Sequence, residues 1–265
     1  MYRGFTNDSL VYNLIWRVKA YKKACEIIGK NDIDWIYSRS SPIDANIIGD
    51  KLKRRYGIRI LQHFSDPVVS ELYTKNNFIL HSLIRQFRRI VNNADLISYG
   101  TEEMQRNQEK TMGLCAPQKT FISPDAGYSD KMKFKPLTKE DYLRLTYLGG
   151  FGFYRDPIPL FKAIDCLNTN GFKVKLLVCS DKAKTLQYSS DNIIFRGRTS
   201  NIDKILENTD ICIDLDINQD KSPFISIKMK DYLLINRPII AITSVTSAIY
   251  GRCKGMRTVD CCINL

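Results

Sequence analysis

The sequence predicts an α/β fold in two doubly wound domains, and three observations predict it. Short apolar runs alternate with amphipathic stretches along the chain, joined by short links, as in a parallel α/β sheet. The alternation stops between Pro124 and Glu140, where polar, Gly and Pro residues dominate, and then restarts. The run Ile239-Ile240-Ala241-Ile242 is apolar throughout, as suits a parallel strand covered on both faces. The expected organisation is a first domain over 1–125, a linker over 126–141 and a second domain over 142–265.

Taken in order, a helix is expected from Ser9 to Gly29. Leu14, Ile15, Val18, Tyr21, Cys25 and Ile28 follow helical spacing, and Asn7-Asp8-Ser9 offer caps. Its other face carries Arg17, Lys22 and Lys23 with Trp16 nearby, a face that suits solvent or an anionic membrane surface. Strands at 34–38, 58–64, 95–100 and 120–123 alternate with helices at 42–56, 78–94 and 101–112. Arg85, Arg88 and Arg89 are placed on a solvated face of the second of these. In the second half, strands are expected at 143–148, 174–179, 192–195, 211–215 and 239–242. Helices are expected at 157–168, about 182–188, 201–208 and 226–236.

At 265 residues, with 44% hydrophobic and 26% charged, the chain has the composition of an ordinary soluble protein with ample core material. No apolar run approaches the ~18–20 residues that span a bilayer, and Asn7, Asp8 and Asn13 break any signal-like N-terminus. Its 8 cysteines show no CxxC pair and no zinc spacing, which points to a reducing, cytoplasmic setting. The net charge of +12 is spread over both halves and favours anionic partners: phosphorylated ligands, anionic lipid or nucleic acid. No helix-turn-helix or RNA-binding signature accompanies it, so nucleic acid is not expected.

The chemistry concentrates in Ser222 to Ile242. Lys228 and Asp231, three apart, share a helix face near its N-terminal end. Free N–H groups, the helix dipole and an ammonium together attract phosphate, and a carboxylate one turn on can take sugar hydroxyls. Lys228 is equally an ordinary exposed helix lysine. Gly149-Gly150 after a strand lets backbone approach a ligand, although a plain turn explains it as well. Arg155-Asp156-Pro157 is a cation in a loop, or simply a helix start with Asp156 capping. His63 and Asp66 close a strand of the first domain; a structural histidine and a loop cap are the plainer readings. Asp214-Leu215-Asp216 mimics a metal-binding DxD but ends a strand of another architecture, so no metal is expected.

Taken together, these segments resemble glycosyltransferase family 4, the group 1 glycosyltransferases of GT-B architecture. The similarity runs from about Asp34 to Ser247. It is carried by Leu145 to Pro157, by Asn192 to Gly197 with Ile205 to Ile211, and above all by Ser226 to Ala241. Ala94-Asp95 and Ile122 to Tyr128 look like the end of the family's N-terminal domain. The resemblance implies two Rossmann-like domains facing across a cleft. It further implies retention of anomeric configuration, no metal or other cofactor, and an oxocarbenium-like transition state. Gly149, Gly150, Arg155, Gly197, Ser226, Lys228 and Asp231 would bind the donor. Arg155 and Lys228 would neutralise its diphosphate, and Asp66 or His63 would orient donor or acceptor. The chain departs from the family in four places. Pro223 stands where the first of two acids belongs, Asp231 replaces a glutamate, and the family's opening strand with its glycine-rich loop has no counterpart. The tail from Gly251 shows no sign of the family's closing helices, so the first domain is expected to be incomplete and the chain shortened at both ends.

The expected function is transfer of a sugar from a nucleotide-sugar donor to a glycan or lipid-linked acceptor, in the cytoplasm and at the inner face of the membrane. Two alternatives stand beside it: an inactive relic that still binds nucleotide, and a basic module for a membrane surface. A sugar-nucleotide epimerase of the same architecture is a further rival.

Overall fold

Both sheets of the computed structural model are parallel wherever strands pair. The structure describes residues 7–40, 43–66, 77–113, 116–124, 141–151, 155–181, 187–216, 222–223, 225–235, 237–256 and 259–263. The chain divides into two compact units, Met1–Pro124 and Asp125–Leu265. The linker expected over 126–141 lies almost wholly outside the described residues, as does most of the helix expected over 182–188.

The first unit runs α1 (Asn7–Ile28), β1 (Trp35–Ser40), α2 (Asp44–Tyr56), β2 (Arg59–Phe64), α3 (Asn77–Asn93), β3 (Leu96–Tyr99), α4 (Glu102–Met112) and β4 (Thr120–Ile122). Among the described residues its strands lie in the order β1-β2-β3-β4. Local chemistry sets the helix ends. Thr101 caps α4 by accepting from the Met104 N–H at 3.0 Å. Gly57 and Gly113 end α2 and α4 at φ of 71° and 60°, a region that glycine enters freely. Phe64 is fully buried between Phe87 and Tyr99, with ring centroids 4.6 and 5.6 Å away.

Helix α1 is rotated from the sequence expectation. Arg17, expected on the outer face, pairs with buried Asp44 of α2. That ion pair turns Leu14, Ile15 and Val18 outward, to 57%, 50% and 48% exposure. Tyr21, Cys25 and Ile28 remain half-buried. Two of the α3 arginines are likewise engaged: Arg88 Nε donates to the Met112 carbonyl at 2.5 Å, and Arg89 lies 3.4 Å from buried Asp50.

The second unit runs β5 (Leu143–Leu148), α5 (Ile158–Thr169), β6 (Val174–Cys179), β7 (Ile193–Arg196), α6 (Ile202–Glu207), β8 (Ile211–Leu215), α7 (Ile227–Leu234), β9 (Ile239–Thr243), α8 (Ala248–Cys253) and β10 (Val259–Ile263). The sequence predicts no element beyond β9, and α8 and β10 correct that expectation. Ser247 caps α8 by accepting from the Tyr250 N–H at 3.0 Å, and β10 pairs with β9 from Val259 to Ile263. One face of the sheet packs Leu145, Tyr147, Leu176, Val178, Ile213 and Leu215 with Leu160, Phe161 and Ile164 of α5. The other packs Leu148, Cys179, Cys212 and Ala241 with residues of α6, α7 and α8.

Each sheet is clamped by an aspartate at the start of a strand. Asp95 donates its N–H to the Ile60 carbonyl and accepts from the Ile60 N–H at 2.7 Å. Asp210 does the same to Arg144, at 2.9 Å and 2.7 Å, and also takes the Arg144 guanidinium. The cations beside them, with these N–H donors, outweigh desolvation and hold both carboxyls below their ordinary range.

Candidate functional site

The strand order of the second sheet is β10-β9-β8-β5-β6-β7. Adjacent β5 and β8 therefore lead off in opposite directions, β5 toward β6 and β8 toward β9. Loops leaving two such strands diverge and open a crevice at their carboxyl ends, where doubly wound sheets bind ligands.

The loop after β5 is held down by Tyr147. Its ring stacks on Phe151 with centroids 5.0 Å apart, and its hydroxyl donates to the Gly150 carbonyl at 3.3 Å. Phe151 in turn meets Phe161 of α5 edge-on at 6.2 Å. Tyr147 also explains Gly149, since a Cβ there would fall 2.7 Å from its hydroxyl. Close approach of the chain to its own aromatic ring thus accounts for Gly149, whereas a Cβ on Gly150 would meet nothing within 4 Å. Arg155 follows in this segment, and its Nε is buried with no hydrogen-bond partner among the described residues.

Across the crevice, β8 delivers a carboxylate and α7 a lysine. Side chains two apart share a face of a strand, so Cys212, Asp214 and Asp216 all point to the α7 side. Asp216 accepts from Ser222 at 2.9 Å and Thr243 at 2.7 Å, which ties β8, β9 and the stretch before α7 together. Asp214 accepts from Ser226 at 2.7 Å through Oδ1, while Oδ2 is buried with no partner among the described residues. Ser226, expected to touch the donor, is the N-cap of α7: its Oγ accepts from the Met229 N–H at 3.1 Å as it donates to Asp214. Tyr232, fully buried, accepts from the Leu148 N–H at 3.0 Å and so fastens α7 to the carboxyl end of β5.

The charges form one group. Lys228 is held below its ordinary value first by desolvation and then by Arg155, with a smaller push from Arg198; Asp214 and Asp231 oppose this. Asp214 is pushed up to about 6, mainly by burial and also by Asp216, against the Ser226 hydrogen bond, Arg155 and Lys228. Asp231 is raised by burial and lowered by Lys228. Arg155, Lys228 and Asp231 are thus brought together at the β5/β8 switch point. Sequence reasoning missed one member, Arg198, and singled out another, Asp214, only as part of a mimic of a metal motif. Arg198 directly follows Gly197 beyond β7, and Asp214 was visible as a lone acid inside the apolar run Ile211-Cys-Ile-Asp-Leu.

Of the other predicted residues, Gly197 belongs to the second unit and His63 and Asp66 to the first. Gly197 follows β7, and a Cβ there would meet nothing within 4 Å. His63 is 2% exposed within β2 of the first unit; its Nδ1 lies 2.8 Å from Ser98 Oγ and its ring 6.0 Å from that of Tyr37. Asp66 is half-buried in the bend after β2. No group of acids, histidines and cysteines able to hold a metal is found among the described residues. A cavity of 370 Å³ lies against β5, β6, β7 and α6, and none of the predicted residues lines it.

No protein-family profile matches the chain, and no curated protein matches it in sequence. Its fold does match solved structures. A glycosyltransferase from Rickettsia africae aligns at a TM-score of 0.68 and 14% identity, over 93% of this chain and 67% of its own. Anabaena HepE with UDP and glucose aligns at 0.63 and 13%, over 85% and 62%. The α,α-trehalose-phosphate synthase of Burkholderia xenovorans with glucose-6-phosphate aligns at 0.64 and 8%, over 97% and 68%. The chain thus spans about two thirds of the length of these structures. In fold it is an α/β protein with two parallel sheets of the GT-B glycosyltransferase type.

Proposed function

We propose that the second unit binds the diphosphate of a nucleotide sugar and that the chain is a retaining, metal-independent glycosyltransferase with a glycan or lipid-linked acceptor. One observation carries this reading: at the switch point of the sheet the Arg155 Nε is buried with no hydrogen-bond partner among the described residues, and Lys228 of α7 lies within reach of its charge, a pair that a diphosphate would bridge. As the sugar leaves, negative charge grows on the diphosphate, and cations already aimed there stabilise the transition state without reorganising. Arg155, Arg198 and Lys228 supply the positive charge for which other transferases use a divalent cation. Asp231, one turn beyond Lys228, would accept from ribose hydroxyls. The HepE structures, with UDP and glucose and with UDP-glucose, support a nucleotide-sugar donor by likeness of fold. Incubating the chain with labelled UDP-, GDP- and ADP-sugars and lipid or glycan acceptors tests the proposal. Transfer is expected with one donor; binding without turnover would indicate the relic, and neither binding nor turnover would sink the reading.

We also propose that α1 rests on anionic lipid. Leu14, Ile15 and Val18 are outward, and Lys19, Lys22 and Lys23 are exposed beside them, which suits acyl chains under acidic headgroups. Among the described residues no helix is long and apolar enough to cross a membrane. The chain is expected to float with phosphatidylglycerol vesicles and not with pure phosphatidylcholine, less so in high salt. Changing Leu14, Ile15 and Val18 together to Gln should weaken this binding about tenfold or more. Equal binding to both vesicles would exclude it.

A further inference from the structure

We propose that Asp214 is a built-in counter-charge of the anion site, and that it takes up a proton on Oδ2 when a diphosphate engages Arg155 and Lys228. The proposal rests on the nucleotide-sugar reading and adds a proton to its binding step. A buried carboxylate remains ionised only while nearby positive charge and hydrogen bonds sustain it. For Asp214 the structure supplies one hydrogen bond, from Ser226, and the fields of Arg155 and Lys228. The ionisable groups facing it from the surrounding elements are Tyr147 of β5, Arg155, Asp216 of β8, and Lys228 and Tyr232 of α7. Only the two cations among these favour its charge, and Asp216 opposes it. A bound diphosphate would place negative charge against the same two cations and cancel their field at Asp214. Oδ2 has no partner among the described residues and is free to carry the proton, which comes from solvent. Asp216 is not an equivalent candidate, because Ser222 and Thr243 both donate to it.

Binding then follows a defined pH dependence. Free Asp214 loses its proton at about pH 6, and the complex holds that proton more tightly. Affinity should therefore be highest below pH 6 and fall several-fold by pH 8. The diphosphodiester of a nucleotide sugar does not titrate in this range, so any proton taken up belongs to the protein. Titration calorimetry of the native chain with UDP-glucose and GDP-mannose, at pH 7 in buffers of contrasting ionisation enthalpy, reads that proton directly. Uptake of a substantial fraction of one proton per site is expected. In Asp214→Asn the buffer dependence should disappear, affinity at pH 8 should rise several-fold, and the pH profile should flatten. The variant removes a desolvated charge and should keep the fold at neutral pH. A native chain that binds with no buffer-dependent heat overturns the proposal, with or without the variant. So does an Asn variant that retains the full proton uptake, since Lys228 would then be the group that titrates. Failure of every nucleotide sugar to bind would instead strike the underlying site reading and take this proposal with it.

Discussion

Replacing Lys228 with Ala is expected to lower the rate of sugar transfer about 10²–10³-fold, and Arg155→Ala to do the same, as losing one charge-stabilising donor does elsewhere. Both cations act on the same developing charge, so the fall should appear in kcat as well as in kcat/KM. The double variant should lose less than the product of the single losses, because the two side chains interact. In each single variant the remaining cation is relieved of its repelling neighbour while Asp214 loses part of the positive field that sustains it, so the net change in stability should be small. Circular dichroism melting beside single-turnover rates checks both statements. If Lys228→Ala transferred sugar at the native rate, the site would have to be sought elsewhere in the molecule.

Tyr232→Ala is expected to destabilise the second unit by about 3–5 kcal/mol, the cost of removing a large, fully buried ring. Tyr232→Phe keeps the ring and removes only the acceptor of the Leu148 N–H, which should cost about 1–3 kcal/mol. The Phe variant should also bind a nucleotide sugar more weakly at temperatures where it is folded, because α7 then carries Lys228 and Asp231 on a looser footing. The two variants thus separate packing from fastening. Denaturant melts, with tyrosine and backbone signals compared, measure the first effect, and calorimetry the second. A Phe variant as stable and as tight-binding as the native chain would show that the hydrogen bond to Leu148 holds nothing in place.

Much of the second unit was legible because its strands are covered on both faces and so appear as apolar runs between helices. Leu143–Leu148, Val174–Cys179 and Ile211–Leu215 were expected at the limits the structure shows. Strand β10 escaped because Asp260 and two cysteines dilute its apolar character, and α8 because a six-residue helix leaves too short a periodic trace. The orientation of α1 was misjudged for another reason. Periodicity names an apolar face but not its neighbour, and the Arg17–Asp44 pair, spanning 27 residues of sequence, decides the rotation. The cluster around Lys228 was partly legible from spacing. Asp214 was not, since an acid at a strand end has a role only once α7 and the loop after β5 are known to close over it.

The clamp made by Asp210 has a reach beyond the bonds it forms. It sits at the foot of β8, beside Arg144, yet it settles what the head of that strand presents. A slip of one residue against β5 would turn Asp214 toward the aromatic rings around Phe161 and hand its place to Leu215. An acid that touches no part of the crevice thereby decides which sign of charge lies beneath it.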